Sequence, residues 1–181
     1  MGTSNEPTVP DSEINHQYSK SIEFENDFRN YLKDYISSDI QYFSFLRPIN
    51  EVQIASLFAK NKEYYKVFKS CNVGSKTDSW CGKCPKCLFT WIIMSPFIPE
   101  NELIEIFGKN LLKNNDLVPI IRQLKGEVEV KPFECVGTVE EVNACLNYGQ
   151  RKSGLENLLN QYDDANNLPK HFEQILKDKL Q

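Results

Sequence analysis

The residues in this chain whose types and spacing most clearly point to chemistry are four cysteines. They are Cys71, Cys81, Cys84 and Cys87. A Cys-x-x-Cys step places two thiolates about one edge of a metal–sulfur tetrahedron apart, and four thiolates complete the coordination of zinc. A closed shell of four sulfurs leaves no open position for a catalytic water. The spacing therefore predicts a structural zinc site within residues 71–87, which contributes folding free energy directly.

Three other interpretations of these cysteines stay open from spacing alone. They can be unliganded core thiols, a redox Cys-x-x-Cys pair or part of a nucleic-acid-binding zinc ribbon. A redox pair needs no further cysteine at the next three-residue step, and the surrounding pattern is not βαβ. In a ribbon, Lys76, Lys83 and Lys86 are available to contact phosphate, but the usual second Cys-x-x-Cys knuckle is absent. The zinc-staple interpretation is therefore preferred.

The cysteines must be positioned by mainly helical elements. Gly82 and Pro85 favour a tight turn, and Pro85 suits the first turn of a buried helix that Pro96 stops. An amphipathic helix is predicted after Ser21, a plausible N-cap, and a capping box is predicted at Thr138. In all, the pattern indicates seven or eight short helices and at most two weak strands, at residues 40–46 and 127–131.

Composition sets the broad class of the chain. Its 181 residues carry 21 Lys and Arg against 25 Asp and Glu, a net charge of −4, and 40% of them are hydrophobic. This composition predicts a folded chain of one domain or one domain with an appendage. The acidic balance argues against a general nucleic-acid binder. We also expect no membrane span and no secretion signal, and therefore a cytoplasmic, reducing location where cysteines are thiols or metal ligands.

Several motifs resemble known families. The cysteine run CGKCPKC, preceded by Cys71, resembles the zinc cluster near the C-terminus of queuosine-precursor synthases, which are PP-loop ATP pyrophosphatases. A wider set of segments is similar to the bacterial UDP-N-acetylmuramoyl-L-alanyl-L-glutamate epimerases, in order from about Asn15 to Leu146. These segments read NHQYSKS, YFSFLRP, WCGKCPKCLF, SPF, IFGKNLL and KPFECVG.

The resemblance implies an isomerase of peptidoglycan precursor synthesis. Such enzymes use ATP and a divalent metal, here magnesium, to invert the terminal L-glutamate of a UDP-muramoyl dipeptide. They carry a Ser-Gly-Gly phosphate loop after a first strand, whereas the eight glycines of this chain are scattered singly. We therefore expect the helical, zinc-stapled C-terminal part of an α/β PP-loop-type enzyme that is incomplete alone.

The expected organisation follows from that resemblance. Residues 1–14 would be a loop continuing from a missing N-terminal nucleotide-binding half, which becomes the expected protein partner. Residues 15–181 would form the helical zinc-containing domain. The alternative from another functional class is a free-standing zinc-stapled helical module that binds a protein partner without catalysis.

Candidate site residues follow from the resembling motifs. The α-proton of a glutamate carboxylate is very weakly acidic, and converting that carboxylate into an acyl-adenylate makes its removal feasible. Inversion then needs an acid and a base, for which His16, Glu134 and Cys135 are the candidates. Lys20 and Arg47 are candidates for binding substrate carboxylate or phosphate. Each also has an ordinary structural alternative: His16 can anchor a loop, Cys135 can pack in the core, and the cations can be solvated.

Overall fold

We describe the fold from a computed structural model that covers residues 18–130, 132 and 136–180. Eight α-helices follow one another along this part of the chain, joined by turns and short 3₁₀ segments. They are α1 (Ile22–Tyr35), α2 (Glu51–Ala59), α3 (Pro85–Met94), α4 (Glu100–Phe107), α5 (Val118–Leu124), α6 (Val139–Leu146), α7 (Lys152–Leu159) and α8 (Lys170–Leu180). The prediction of a mainly helical chain is confirmed.

Neither expected strand is present within these described residues. Residues 40–46 run as turns and irregular chain because side chains, not a neighbouring strand, bind their backbone. Glu25 accepts the Ser44 N–H, and Arg29 donates to the Tyr42 carbonyl. Residues 127–129 form bends, and the Glu127 N–H donates to the Arg122 carbonyl after α5. Both strand predictions were wrong.

The predicted helix boundaries rest on local hydrogen bonds. Ser21 caps α1, since its Oγ accepts the Phe24 N–H at 3.1 Å. The capping box before α6 is complete: Thr138 Oγ1 accepts the Glu141 N–H, and the Glu141 carboxylate accepts the Thr138 N–H. Pro85 occupies the first turn of α3. The sequence therefore sets these helix starts through side chains that satisfy free backbone N–H groups.

The described chain divides into two compact units. The described parts of the first are residues 18–50 and 161–180, and the second is residues 51–160. In the second unit α3 is the centre, packing against α2, α4, α5 and α6. Leu88 and Ile92 of α3 are fully buried, and Trp91 is almost so. This apolar core surrounds the helix that begins at the cysteine cluster.

The first unit is built around a buried charge. The carboxylate of Glu25 on α1 accepts hydrogen bonds from Ser44 N at 3.0 Å, Arg47 Nε at 3.0 Å and Asn167 Nδ2 at 2.9 Å. Its side chain is 2% exposed, against 17% for Arg47. One carboxylate thereby joins α1, the loop after it and the segment before α8.

Two further expectations concern the ends of the chain and the membrane. The predicted boundary between residues 14 and 15 lies outside the described residues. Within the described residues, no helix combines the length and the apolar character needed to cross a bilayer.

Candidate metal centre

The four predicted cysteines come together in the second unit. Their Sγ atoms all lie within 4.8 Å of one another. The Sγ–Sγ distances are 3.8 Å for Cys71 and Cys84, 3.7 Å for Cys81 and Cys87, and 3.5 Å for Cys84 and Cys87. Zinc–sulfur bonds of about 2.3 Å give a tetrahedron with edges of about 3.8 Å. The spacing fits four-coordinate zinc and is far too long for disulfide bonds of about 2.05 Å.

Local backbone structure places each sulfur. Gly82 adopts φ +63°, a left-handed conformation that allows the chain to turn sharply between Cys81 and Cys84. Cys84 is the residue immediately before α3, and Cys87 lies in the first turn of that helix. The positive end of the helix dipole therefore faces two of the sulfurs and favours their thiolate form.

Backbone N–H groups also converge on the sulfurs. Gly74 N lies 3.2 Å and Cys81 N 3.5 Å from the Cys71 Sγ, and Lys83 N lies 3.4 Å from the Cys81 Sγ. Donors of this kind stabilise thiolates that ligate a metal. The arrangement is what a negatively charged sulfur cluster requires.

Gly74 is a part of this site that sequence reasoning did not single out. A Cβ added there would lie 1.8 Å from the backbone carbonyl oxygen of Ser79, whose own N–H bonds to the Gly74 carbonyl. Only glycine leaves room for this close approach of two backbone segments. The available signal was a glycine three residues after the first cysteine of the cluster.

The thiol pKa values show why the cluster suits a cation. Burial works against ionisation of Cys71, but the N–H groups of Cys81 and Gly74 lower its pKa to about 7. Burial raises the pKa of Cys84 to about 11 and raises the pKa of Cys87 further still. Four sulfurs this close cannot all be thiolates without a compensating positive charge. A bound dication would supply that charge.

The surroundings close the site to solvent. Cys71, Cys84 and Cys87 are buried, and Cys81 is half-buried. Next to the cluster in sequence, the buried Trp80 packs against Phe107, with ring centroids 4.6 Å apart. A metal held here has four protein ligands and little access to water. Its role would be to join the loop after residue 70 to the start of α3.

The fifth described cysteine, Cys145, lies apart from the cluster. It is fully buried on α6, and burial and the negative charge of Glu141 raise the pKa of its thiol to about 12. Cys145 therefore packs as a core residue of the second unit. It also serves as a natural control for experiments on the four clustered thiols.

The candidate catalytic residues were placed by resemblance, and His16, Glu134 and Cys135 lie outside the described residues. The two candidate substrate-binding residues belong to the first unit. Arg47 donates to the Glu25 carboxylate and, through Nη2, to the backbone carbonyls of Lys20 at 3.1 Å and Ser21 at 3.3 Å. Lys20 itself is exposed. The structure thus gives Arg47 a structural partner, and its contact with substrate stays a prediction.

Glu25, the buried partner of Arg47, was not singled out from the sequence. Glutamate in the first turn of a helix is ordinarily explained by the helix dipole at the surface. Its position three residues before Phe28 and seven before Leu32 was the available signal, because that spacing places it beside the apolar side of α1.

Comparison with known protein families shows which family the chain belongs to. The sequence model described as the MurL C-terminal domain matches residues 67–172, which is more than half of the chain. The chain belongs to the MurL family. The model described as the MurL N-terminal domain matches residues 3–45 as well, so both MurL domains are represented. The resemblance to muramoyl-peptide glutamate epimerases is therefore confirmed.

Three curated relatives bear the name UDP-N-acetyl-alpha-D-muramoyl-L-alanyl-L-glutamate epimerase. The proteins from Micromonospora sp., Xanthomonas oryzae and Salinispora tropica are 44%, 40% and 40% identical to the chain, over 71%, 74% and 78% of its length. These matches cover 30%, 31% and 32% of the relatives. The chain thus corresponds to about a third of a MurL protein. No solved structure gives a significant match.

Proposed function

We propose that this chain is the zinc-stabilised C-terminal part of an ATP-dependent epimerase that inverts the terminal L-glutamate of UDP-N-acetylmuramoyl-L-alanyl-L-glutamate. The observation that carries the proposal is the match to both MurL domains, together with relatives named for that activity. We infer the substrate, the ATP dependence and the magnesium requirement from membership of this family. The PP-loop nucleotide-binding half would lie in the part of a MurL protein that this chain does not match.

The metal centre has a supporting role in this proposal. Zinc held by four thiolates is a closed structural site, so no step of the reaction passes through it. Its contribution is to fix residues 71–87 against α3, the helix around which the second unit packs. The same geometry supports a structural zinc over a redox pair, because all four sulfurs converge instead of two.

The reaction itself would be carried by the candidate residues that the family resemblance implies, together with the nucleotide-binding half. ATP would convert the glutamate carboxylate into an acyl-adenylate with release of pyrophosphate, so that the α-proton becomes removable, and hydrolysis would then release AMP and restore the carboxylate. His16, Glu134 and Cys135 are the candidates for the base that removes that proton from one face of the α-carbon and for the acid that delivers a solvent-derived proton to the opposite face. Lys20 and Arg47 are proposed to hold substrate carboxylate or phosphate. The salt bridge from Arg47 to Glu25 fixes the guanidinium that would do so.

Isotope exchange tests the function. The chain is mixed with the part of the Micromonospora relative that precedes its match, together with UDP-muramoyl dipeptide, ATP and magnesium in deuterated water. We expect ATP-dependent incorporation of deuterium at the glutamate α-carbon, measured by mass spectrometry, and appearance of D-glutamate. The free-standing binding module predicts no exchange with both parts present, and that result would reject the epimerase.

Variants assign the roles. His16→Ala and Glu134→Gln should lower the exchange rate while leaving the metal content unchanged. Exposed His171 on α8 is the matched control, and His171→Ala should exchange at the parent rate. Equal rates in all variants would remove the first two residues from the mechanism. Robust exchange by the 181-residue chain without the upstream part would show that the nucleotide site was misassigned.

A further inference from the structure

The first unit carries a row of aromatic rings along one side of α1. Phe24 stacks on Phe28 with ring centroids 5.8 Å apart, Phe28 lies 6.4 Å from Tyr31, and Tyr31 lies 5.2 Å from Tyr35. The ring of Tyr42 meets Phe28 edge-on at 4.8 Å. We call these five residues the aromatic face. They form one continuous apolar strip about three helical turns long.

The aromatic face is exposed to solvent at the C-terminal end of α1. Tyr31 is 51% exposed and Tyr35 is 75% exposed. Ile36 and Ile40, in the chain that follows, are 59% and 50% exposed. Singly exposed apolar residues need no explanation, but a contiguous aromatic and aliphatic patch of this kind marks an interaction surface.

The face is distinct from the side of α1 that the unit already buries. Glu25 and Leu32 are the buried residues of that helix. At 100° per residue these two positions lie about 80° around the helix from the aromatic row. The packing within the first unit therefore leaves Tyr31 and Tyr35 exposed, whereas Phe24 and Phe28 are half-buried.

The first unit also has little apolar core of its own. Its described residues bury four leucine or isoleucine side chains: Leu32, Ile49, Leu168 and Leu176. The centre of the unit is the charged side chain of Glu25. A unit of this size needs a larger buried apolar area to offset its conformational entropy. Further protein packed on the aromatic face would supply it.

The family match indicates which protein that is. The N-terminal MurL model matches residues 3–45, so α1 and Tyr42 belong to the N-terminal domain and not to the C-terminal one. More than two thirds of the length of each relative lies outside its match to this chain. The body of the N-terminal domain therefore lies outside the part of a MurL protein that this chain matches.

We propose that the aromatic face of α1 is the docking surface for the remainder of the MurL N-terminal domain. The proposal rests on the function proposed above and adds where the two parts meet. Along its other edge the face is bordered by acidic side chains, Asp27 and Asp34. The complementary surface is accordingly an apolar groove with lysine or arginine on the facing rim.

A binding experiment with a matched pair of variants tests this surface. The probe is the part of the Micromonospora relative that precedes its match, titrated into the 181-residue chain by calorimetry. We expect Tyr31→Ala/Tyr35→Ala to weaken binding at least tenfold. The control Asn30→Ala/Lys33→Ala changes two exposed residues of the same helix and should bind like the parent. Far-ultraviolet circular dichroism establishes that both variants keep their helices.

Three results would overturn the proposal. The first is failure of the parent to bind the probe, and the second is equal binding of the probe by the parent and the tyrosine variant. The third is a dimer of the chain alone, seen by light scattering, that the tyrosine variant abolishes, because the face would then bind a second copy. Isotope exchange separates the two proposals: exchange by the tyrosine variant at the parent rate, with unchanged binding, rejects the surface and keeps the epimerase. If the probe binds through the tyrosines but no isotope exchange is observed, the docking surface is kept and the epimerase is rejected.

Discussion

Removing the guanidinium of Arg47 should destabilise the first unit strongly. The Glu25 side chain is 2% exposed, and Arg47 is the cation bound to it. Replacing Arg47 with methionine keeps much of the apolar volume but leaves the carboxylate buried with only neutral donors. Breaking a buried ion pair in this way costs about 3–5 kcal/mol. The carbonyls of Lys20 and Ser21 lose a donor in the same substitution, which adds to the loss.

The structure also predicts an order among the variants. Glu25→Gln should cost less than Arg47→Met, roughly 1–3 kcal/mol, because the arginine left behind is more exposed and can reach water. The double variant Glu25→Gln/Arg47→Met should recover part of the loss, since no buried charge remains unpaired. Arg151→Met, at an exposed arginine of the second unit, is the control and should stay within about 0.5 kcal/mol of the parent.

Hydrogen exchange is the suitable assay because it reports on each unit separately. Both tryptophans, Trp80 and Trp91, lie in the second unit, so tryptophan fluorescence does not follow the first. Amides of α1 should lose protection in Arg47→Met, while those of α3 should keep it. A loss below about 1 kcal/mol in α1, within the range of an exposed pair, would refute the idea that this ion pair holds the unit together.

Three further predictions concern the second unit. Gly74→Ala should lower the free energy of unfolding in urea by about 1–3 kcal/mol and lower metal retention, because its Cβ would collide with a backbone carbonyl. The control Gly149→Ala should be tolerated, since open space surrounds Gly149. Equal stabilities of the two variants would contradict the close approach at Gly74. The buried Cys145 thiol should resist iodoacetamide at pH 8 in the folded chain and react after unfolding, and rapid modification in the native state would show that α6 is open. Desolvation and the nearby Glu141 carboxylate raise the pKa of Glu51, so its ionisation costs stability above that pKa. Glu51→Gln should therefore raise the free energy of unfolding at pH 7 by less than about 1 kcal/mol, measured as a higher melting temperature. This gain should vanish below pH about 4, where the Glu51 carboxyl is protonated in both states. A gain that persists in acid would contradict the raised pKa of Glu51.

The sequence predicted those features that depend on short spacing. The convergence of three of the four sulfurs follows from three-residue steps between Cys81, Cys84 and Cys87, and the start of α3 follows from Pro85. Ser21 and Thr138 were recognised as caps because a capping bond joins residues three apart. In each case the interaction is local, so the pattern and the structure carry the same information.

The features that sequence analysis missed depend on distant partners. Glu25 is buried because Arg47 and Asn167, 22 and 142 residues away, meet its carboxylate. Residues 40–46 have the aromatic content of a strand, but their backbone bonds to side chains of α1 take the place of strand pairing. Spacing places Glu25 beside the apolar side of α1, but neither its distant partners nor the side-chain bonds to residues 40–46 leave a periodic signal in the chain.

The metal content of the purified chain tests the central claim most directly. Protein expressed and purified without added zinc is analysed by inductively coupled plasma mass spectrometry, alongside Cys84→Ser and the control Cys145→Ser. The account predicts one tightly held zinc per chain in the parent and the control, and loss of that zinc with strong destabilisation in Cys84→Ser. Zinc near zero in the parent, with all four clustered thiols freely titratable while the chain stays folded, would contradict it.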